Sequence, residues 1–331
     1  MTAEYIGIDL HKSFFQACAL TPRGDRVWEG RFDRTVEGVA RFVARGVGPM
    51  HTIAVEASGP TWAFVDALQP SGARVCVVDP RKTRLKAGFA AKTDRLDARR
   101  LADALRRESV VSIYVPPPAI RELRELCRGR HQMVRLRTRL AQMIRALLLR
   151  CDAGDPPGTC LYAPRALAWL AAVQLPADVE CQLRRLERLY RAVHAEAHAA
   201  DAEVRQRAKL DPIAGGLDEL VGIGPVLALT LRVEIGAITR FRNGPALACY
   251  AGLVPRVESS ADRVYHGRIT HQGSPWLRWA LVAAARHAIR RDDARARWAR
   301  RLAVRKGINK ARVALARVLC DQVITTWRQS E

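Results

Sequence analysis

A chain of 331 residues, 49% hydrophobic and without an apolar run long enough to cross a bilayer, can form two or three cored domains. It reads as soluble, with the cytoplasm as its default place. Its 55 Lys and Arg against 33 Asp and Glu leave a formal charge of +22, more than solubility requires, so a polyanion rather than a membrane is the expected partner. The eight cysteines, from Cys18 to Cys320, are scattered and have no C-x-x-C pair, which indicates neither a zinc module nor a disulfide framework and predicts reduced, mostly buried thiols.

Met1-Thr2-Ala3-Glu4-Tyr5 lacks the basic and apolar regions of a secretory signal. Tyr5 to Lys12 reads as a short apolar strand ending in an acid, Asp9, and then turning. Ser13 to Leu20 and Val27 to Phe32 read as two more strands, separated by the turn residues Thr21-Pro22-Arg23-Gly24-Asp25, which suggests an antiparallel start. Val36, Val39, Ala40 and Val43 give a helical face. His51 to Ala57 is another apolar strand with an acid, Glu56, near its end; Thr61 to Leu68 can form a helix and Arg74 to Asp79 a strand.

A helix is predicted from about Thr93 to Arg107. Asp94, Asp97, Leu101 and Leu105 fall at steps of three, four and four, so both carboxylates are expected on the stripe that faces the core, away from their nearest arginines. Buried carboxylates need compensation, and a divalent metal shared with further acids is one answer. The alternatives for the separate acids are a turn residue for Asp9, a helix cap for Glu56 and a capping pair for Asp94 and Asp97. Asp79, before Pro80, is a fifth candidate acid and also reads as a turn.

Pro116-Pro117-Pro118 marks a boundary, since three prolines neither continue a helix nor pair in a central strand. After it, Leu126, Met133, Leu140 and Leu147 recur every seven residues with Leu136 and Met143 between them, a coiled-coil seam. A second seam runs through Leu183, Leu186, Tyr190, Val193, Ala197, Ala200 and Val204. The two can close as an intramolecular hairpin or pair between protomers. A third unit begins near Asp211-Pro212. Leu220 to Ala228, with Gly222 and Gly224, reads as a helix-hairpin-helix turn whose amides could meet a phosphate, or as a tight turn between packed helices. Arg286, Arg290, Arg291, Arg295, Arg297, Arg300 and Arg301 form a basic run, either a solvated face or a backbone-binding one.

Several of these stretches resemble one family. Gly7-Ile8-Asp9-Leu10-His11-Lys12, Val55-Glu56-Ala57-Ser58-Gly59, Lys92-Thr93-Asp94-Arg95-Leu96-Asp97-Ala98-Arg99, Gly222-Ile223-Gly224-Pro225, Ala251-Gly252-Leu253-Val254-Pro255-Arg256 and Gly267-Arg268-Ile269-Thr270 with Leu277-Arg278 are similar to the DEDD transposases of insertion-sequence family 110, relatives of the Piv-type invertases. The resemblance covers essentially the whole chain. It implies an α/β N-terminal RuvC-like, ribonuclease H-like domain at 1–115, a helical coiled-coil linker or dimerisation region at 116–210, and a mostly α transposase domain with a catalytic serine loop at 211–331.

The resemblance further implies that Asp9, Glu56, Asp94 and Asp97 hold two Mg²⁺ ions, with Mn²⁺ as an alternative, and that a serine is the nucleophile. Ser260 matches best and Ser259 is the close alternative, although the glycine that usually follows the family's serine is replaced by Ala261. Gly222, Gly224, Arg256, Arg268 and Arg278 are the implied nucleic-acid contacts. The implied partners are element and target DNA, a structured guide (bridge) RNA, and further copies of the chain in a dimer or tetramer. Two other functions stay open: a RuvC-like junction nuclease in which metal-activated water attacks, and a nucleic-acid-binding scaffold without catalysis.

Overall fold

The computed structural model describes residues 4–80, 83, 93–260 and 263–331. Met1 to Ala3, Lys92 at the head of the acid-bearing motif, and Ala261 and Asp262 after the two serines lie outside the described residues. The chain divides into two units, Met1–Pro116 and Pro117–Glu331, so the stretches expected as 116–210 and 211–331 fall, Pro116 apart, in the second of them.

In the first unit the order is β1 (Tyr5–Leu10), β2 (Phe14–Leu20), β3 (Arg26–Asp33), α1 (Val36–Val43), β4 (Thr52–Glu56), α2 (Thr61–Leu68), β5 (Arg74–Val78) and α3 (Asp94–Arg106). The five strands form one mixed sheet in the order β3-β2-β1-β4-β5, antiparallel from β3 to β1 and parallel from β1 to β5. This is the ribonuclease H-like α/β arrangement. Side-chain alternation gives the sheet two unlike faces. One carries Ile6, Ile8, Phe15, Phe32, Ile53 and Val55, which pack with Phe42 of α1 and Phe64 of α2. The other carries small residues, Gly7, Cys18 and Ala54, under the Ala98, Leu101, Ala102 and Leu105 line of α3.

The small residues let backbone meet backbone. A Cβ at Gly7 would fall on the Ala98 carbonyl oxygen and the Ala102 amide nitrogen, so only glycine admits α3 at this height. The Thr93 hydroxyl caps the helix by accepting from the Leu96 amide, and Asp94 and Asp97 occupy the first turn, where the positive helix end favours them.

The second unit contains α4 (Pro118–Arg150), α5 (Pro164–Ala172), α6 (Ala177–Leu210), α7 (Pro212–Asp218), α8 (Pro225–Ile235), α9 (Gly244–Tyr250), β6 (Pro255–Ser260), β7 (Arg263–Ile269), α10 (Pro275–Ala288), α11 (Ala294–Lys306) and α12 (Ile308–Ser330). The long helices α4 and α6 pack antiparallel. Leu140, Ile144, Leu147 and Leu148 meet Leu183, Leu186 and Tyr190, and Arg130 bonds Asp201 at 2.6 Å. Of the first predicted seam, Leu140 and Leu147 thus close an intramolecular hairpin, whereas Leu136 and Met143 stay 42% and 43% exposed.

Helix α8 is buried almost throughout and forms the axis of the largest core, with α10 and α12 around it. Its C-terminal turn is tied to α4. Arg124 donates to the Val233 carbonyl, and Arg128 makes a forked pair with Glu234 at 2.9 and 3.2 Å. Glu234 is 3% exposed and also accepts from the Ser274 hydroxyl at 2.8 Å. The thiols depart from expectation: Cys18, Cys127 and Cys320 are buried, but Cys160, Cys181 and Cys249 are exposed. Those three lie in or beside helices on outward positions, where a small thiol costs little.

Two substitutions test these contacts. Gly7→Ala is expected to destabilise the first unit by about 1–3 kcal/mol through overpacking, read as an earlier transition in urea denaturation. Glu234→Ala removes the buried carboxylate that the partly exposed Arg128 and the Ser274 hydroxyl engage, and is expected to cost about 1–3 kcal/mol, read as a lowered melting temperature.

Candidate active site

Asp9 is the next-to-last residue of β1, on the α3 side of the sheet with Gly7. The parallel register pairs Ile8 with Val55, so the following residues, Asp9 and Glu56, share that face at the carboxyl ends of neighbouring central strands. The chain then turns sharply, the His11 amide donating to the Phe14 carbonyl at 2.9 Å. The turn stacks the His11 ring on Phe14 with centroids 4.5 Å apart, and the Arg31 guanidinium covers Phe14 at 3.6 Å.

So held, His11 Nε2 lies 3.2 Å from Asp9 Oδ2 and 3.5 Å from Asp94 Oδ1. One potential ligand atom from each of Asp9, His11 and Asp94 lies within 4.8 Å of the others. Asp97 is one turn further along α3. Burial pushes the Asp9 carboxyl above its ordinary pKa; His11 opposes this, and the negative charges of Asp94 and Asp97 add to it. A cleft of about 390 Å³ opens beside this cluster, between Asp94, Thr93 and Arg95 on one side and Gln16 and Arg31 on the other.

The acids are not inward-facing as expected. Asp94 is 49% exposed and Asp97 is paired with Arg100 of its own helix at 3.2 Å. The line of α3 that meets the sheet runs through Ala98, Leu101, Ala102 and Leu105, because the close approach at Gly7 requires alanines. Both acids therefore stand at the rim of the interface, beside Asp9 rather than beneath the helix.

In the second unit, Ser259 and Ser260 end β6. The expected loop is instead a strand paired with β7, Ser259 opposite Val264 and Ser260 opposite Arg263, since the run Val264-Tyr265 with Ile269 favours extended pairing. Arg256 and Arg268 are exposed on the same hairpin, the Arg256 Cβ lying against Gly267. Gly222, at φ +90°, is pressed on α10, where a Cβ would strike the Ala284 carbonyl and the Ala288 amide. Arg278 turns inward and donates to the Ala251 carbonyl at 3.1 Å. Gly224 begins α8 as its N-cap with open space around it.

Comparison with known proteins places this geometry. A model of the DEDD transposase of IS110 elements, described as a transposase, matches residues 6–151, and one described as "Transposase IS116/IS110/IS902 family" matches residues 215–299. The chain belongs to the IS110 family of transposases. A "Probable family 20 transposase" of Pseudomonas aeruginosa is 28% identical over 96% of this chain and 94% of its own. The transposase for insertion sequence element IS1111A of Coxiella burnetii is 26% identical over 95% of this chain and 86% of its own. The transposase for insertion sequence element IS1328 of Yersinia enterocolitica is 25% identical over 85% and 82%, respectively. Among the described residues no helix is long and apolar enough to cross a membrane.

A transposase of the DEDD type is a DNA-processing enzyme that works with divalent metals, and its donor set here fits one. Mutually repelling carboxylates gather around Asp9, and the oxygen and nitrogen atoms of Asp9, Asp94 and His11 lie close enough to share an ion. His11 was not among the residues singled out from sequence. Its signal was the Asp9-Leu10-His11 spacing, in which a histidine two residues beyond a strand-end acid returns to the same side.

Mn²⁺ binding to the full-length transposase, followed by loss of the free-ion EPR signal, tests the cluster. Asp94→Asn and His11→Ala are each expected to weaken it by roughly tenfold or more. Asp103→Asn, at the far end of α3 where the residue pairs with Arg106 and Arg107, should leave it unchanged. Unaltered binding in His11→Ala would remove the imidazole from the donor set.

Proposed function

We propose that this transposase cuts and rejoins DNA through a serine nucleophile, Ser260, with Ser259 as the alternative, and that a structured RNA of its element guides it. The observation that carries the DNA-cleaving part is the gathering of Asp9, Asp94 and Asp97, with His11, at the carboxyl end of a central strand whose neighbour ends in Glu56. Asp9, Glu56, Asp94 and Asp97 would hold two Mg²⁺ ions, or Mn²⁺. Such ions supply Lewis acidity that activates the attacking oxygen and offsets charge on the leaving one.

The serine attacks phosphorus through Oγ. An Oγ–P bond forms as the P–O bond to one deoxyribose breaks, the serine proton is lost and the released sugar oxygen gains one. Attack on the phosphoserine by a sugar hydroxyl of another strand reverses the step and joins the new ends, with no net loss of phosphodiester bonds. The exposed Arg256 and Arg268 beside the serine strand suit phosphates of the bound backbone. The formal charge of +22 suits two polyanions, DNA and a guide RNA. Leu136 and Met143, left exposed on α4, support assembly of copies into a dimer or tetramer.

The test is incubation of the purified protein with its element's end DNA, the element's transcribed RNA and Mg²⁺, followed by denaturing electrophoresis. A covalent protein–DNA adduct is expected, abolished in Ser260→Ala and in Asp94→Ala and kept in Ser259→Ala. Loss in Ser259→Ala alone would transfer the role to that residue. Cleaved DNA without an adduct in any sample would mean that water attacks, as in a junction nuclease, and binding without cleavage would mean a scaffold.

A further inference from the structure

Helix α11 buries one side and leaves the other bare. Ala296 and Ala299 are buried, and Leu302 and Ala303 pack against the core. On the outside, Trp298 is 39% exposed, Val304 90% and, just past the Gly307 turn, Ile308 43%. Trp298, Arg301 and Arg305 follow at steps of three and four and so share one stripe. Arg301, Arg305, Lys306 and Lys310 are exposed and have no acidic partner among the described residues. Arg297 and Arg300, by contrast, are tied to Asp292.

An indole left in water among unneutralised cations fits a ligand with both negative charge and a bare aromatic face. A single-stranded nucleic acid has both, because its unpaired bases expose their π-faces between phosphates. A duplex keeps those faces stacked. A lipid surface would need a broad apolar side, and the one α11 has is already packed in the core. Most of this face also lies beyond residue 299, where the family match ends.

We propose that the outer face of α11, with the start of α12, seats an unpaired nucleic-acid segment. Trp298 stacks on a base, and Arg301 and Arg305 hold the flanking phosphates. This rests on the transposase reading for the presence of nucleic acid, but neither on Ser260 nor on the metal centre.

The experiment titrates full-length protein into fluorescein-labelled oligouridylate, oligothymidylate and a duplex of equal length, read by anisotropy over a salt series. Trp298→Ala is expected to weaken both single strands by roughly ten- to a hundredfold, with the duplex nearly unaffected, and Trp298→Phe to recover most of the loss. Arg301→Ala with Arg305→Ala should reduce the salt slope for single strands by about 1.4, the change expected for two phosphate contacts. A larger loss for oligouridylate than for oligothymidylate would assign the seat to RNA, and the converse to DNA.

Wild-type affinity and salt slope in Trp298→Ala would overturn the proposal, as would equal weakening of single strands and duplex. Sedimentation of Trp298→Ala as a smaller assembly than wild type would also overturn it, identifying the face as a contact between copies. The Ser260 adduct assay run on the same variants keeps the two readings apart. An adduct formed normally on pre-annealed DNA with single-strand binding unchanged in Trp298→Ala removes the seat alone.

Discussion

The height at which α3 lies on the sheet is set at one residue. Where the Ala98 carbonyl and the Ala102 amide cross β1, the strand has Gly7 and no side chain stands between the two backbones. A helix on an ordinary sheet face stands off by the depth of its side chains; here a glycine and two alanines remove that layer. The consequence reaches two residues along the strand, because Asp9 shares the face of Gly7 and therefore meets the first turn of α3 directly. Asp94 can approach Asp9 and the neighbouring His11 within a few ångströms only at this short separation. The packing of small residues and the assembly of the acids are thus one constraint seen at two places, which is why the least chemically active residue of Gly7-Ile8-Asp9 bears most on its chemistry.

Charge in this protein divides into two populations. Some arginines are structural: Arg124 and Arg128 clamp the end of α8, Arg130 ties α4 to α6 through Asp201, Arg184 and Arg191 flank Glu187, and Arg278 holds the turn at Ala251. Burial works against the Glu187 carboxyl's charge, but the two guanidiniums outweigh it and hold its pKa below the ordinary value. A guanidinium suits such places because its planar fork satisfies carbonyls and carboxylates in fixed directions. The net charge alone therefore overstates what is available to nucleic acid. Exposed cations without acidic partners among the described residues, those on the hairpin and on α11 included, can release counterions on binding.

Much of the first unit is legible in its sequence because each strand alternates and ends in an acid or a turn, so β1 to β5 fall within a residue or two of their expected bounds. The orientation of Asp94 and Asp97 was not. Counting steps of three and four from the acids gives a plausible stripe, but which stripe faces the sheet depends on Gly7, a residue on another element. The same limit applies to Leu136 and Met143, whose heptad spacing matches that of Leu140 and Leu147, although only the latter pair finds α6. His11 escaped notice because its value lies in a turn that stacks it on Phe14, and nothing in the order of residues reveals a stack.

The Gly222-Ile223-Gly224 turn shows how one pattern can answer two demands. Its positive φ and its contact with α10 are sufficient reason for Gly222, whether or not a phosphate comes near. Around the same turn stand Asp218, Glu219, Asp292 and Asp293, of which Asp292 is engaged by Arg297 and Arg300 and Asp293 caps α11 by accepting from the Ala296 amide. Asp218 and Glu219 face the opening without such partners among the described residues. Arg291 lines the same opening, so a phosphate entering there would meet charges of both signs at short range. Arg256 and Arg268 on the β6–β7 hairpin, and Arg301 and Arg305 on α11, are exposed and have no acidic partner among the described residues. Helix packing is sufficient to account for glycine at 222, and a phosphate at the turn would be an added demand on a geometry already fixed by α10.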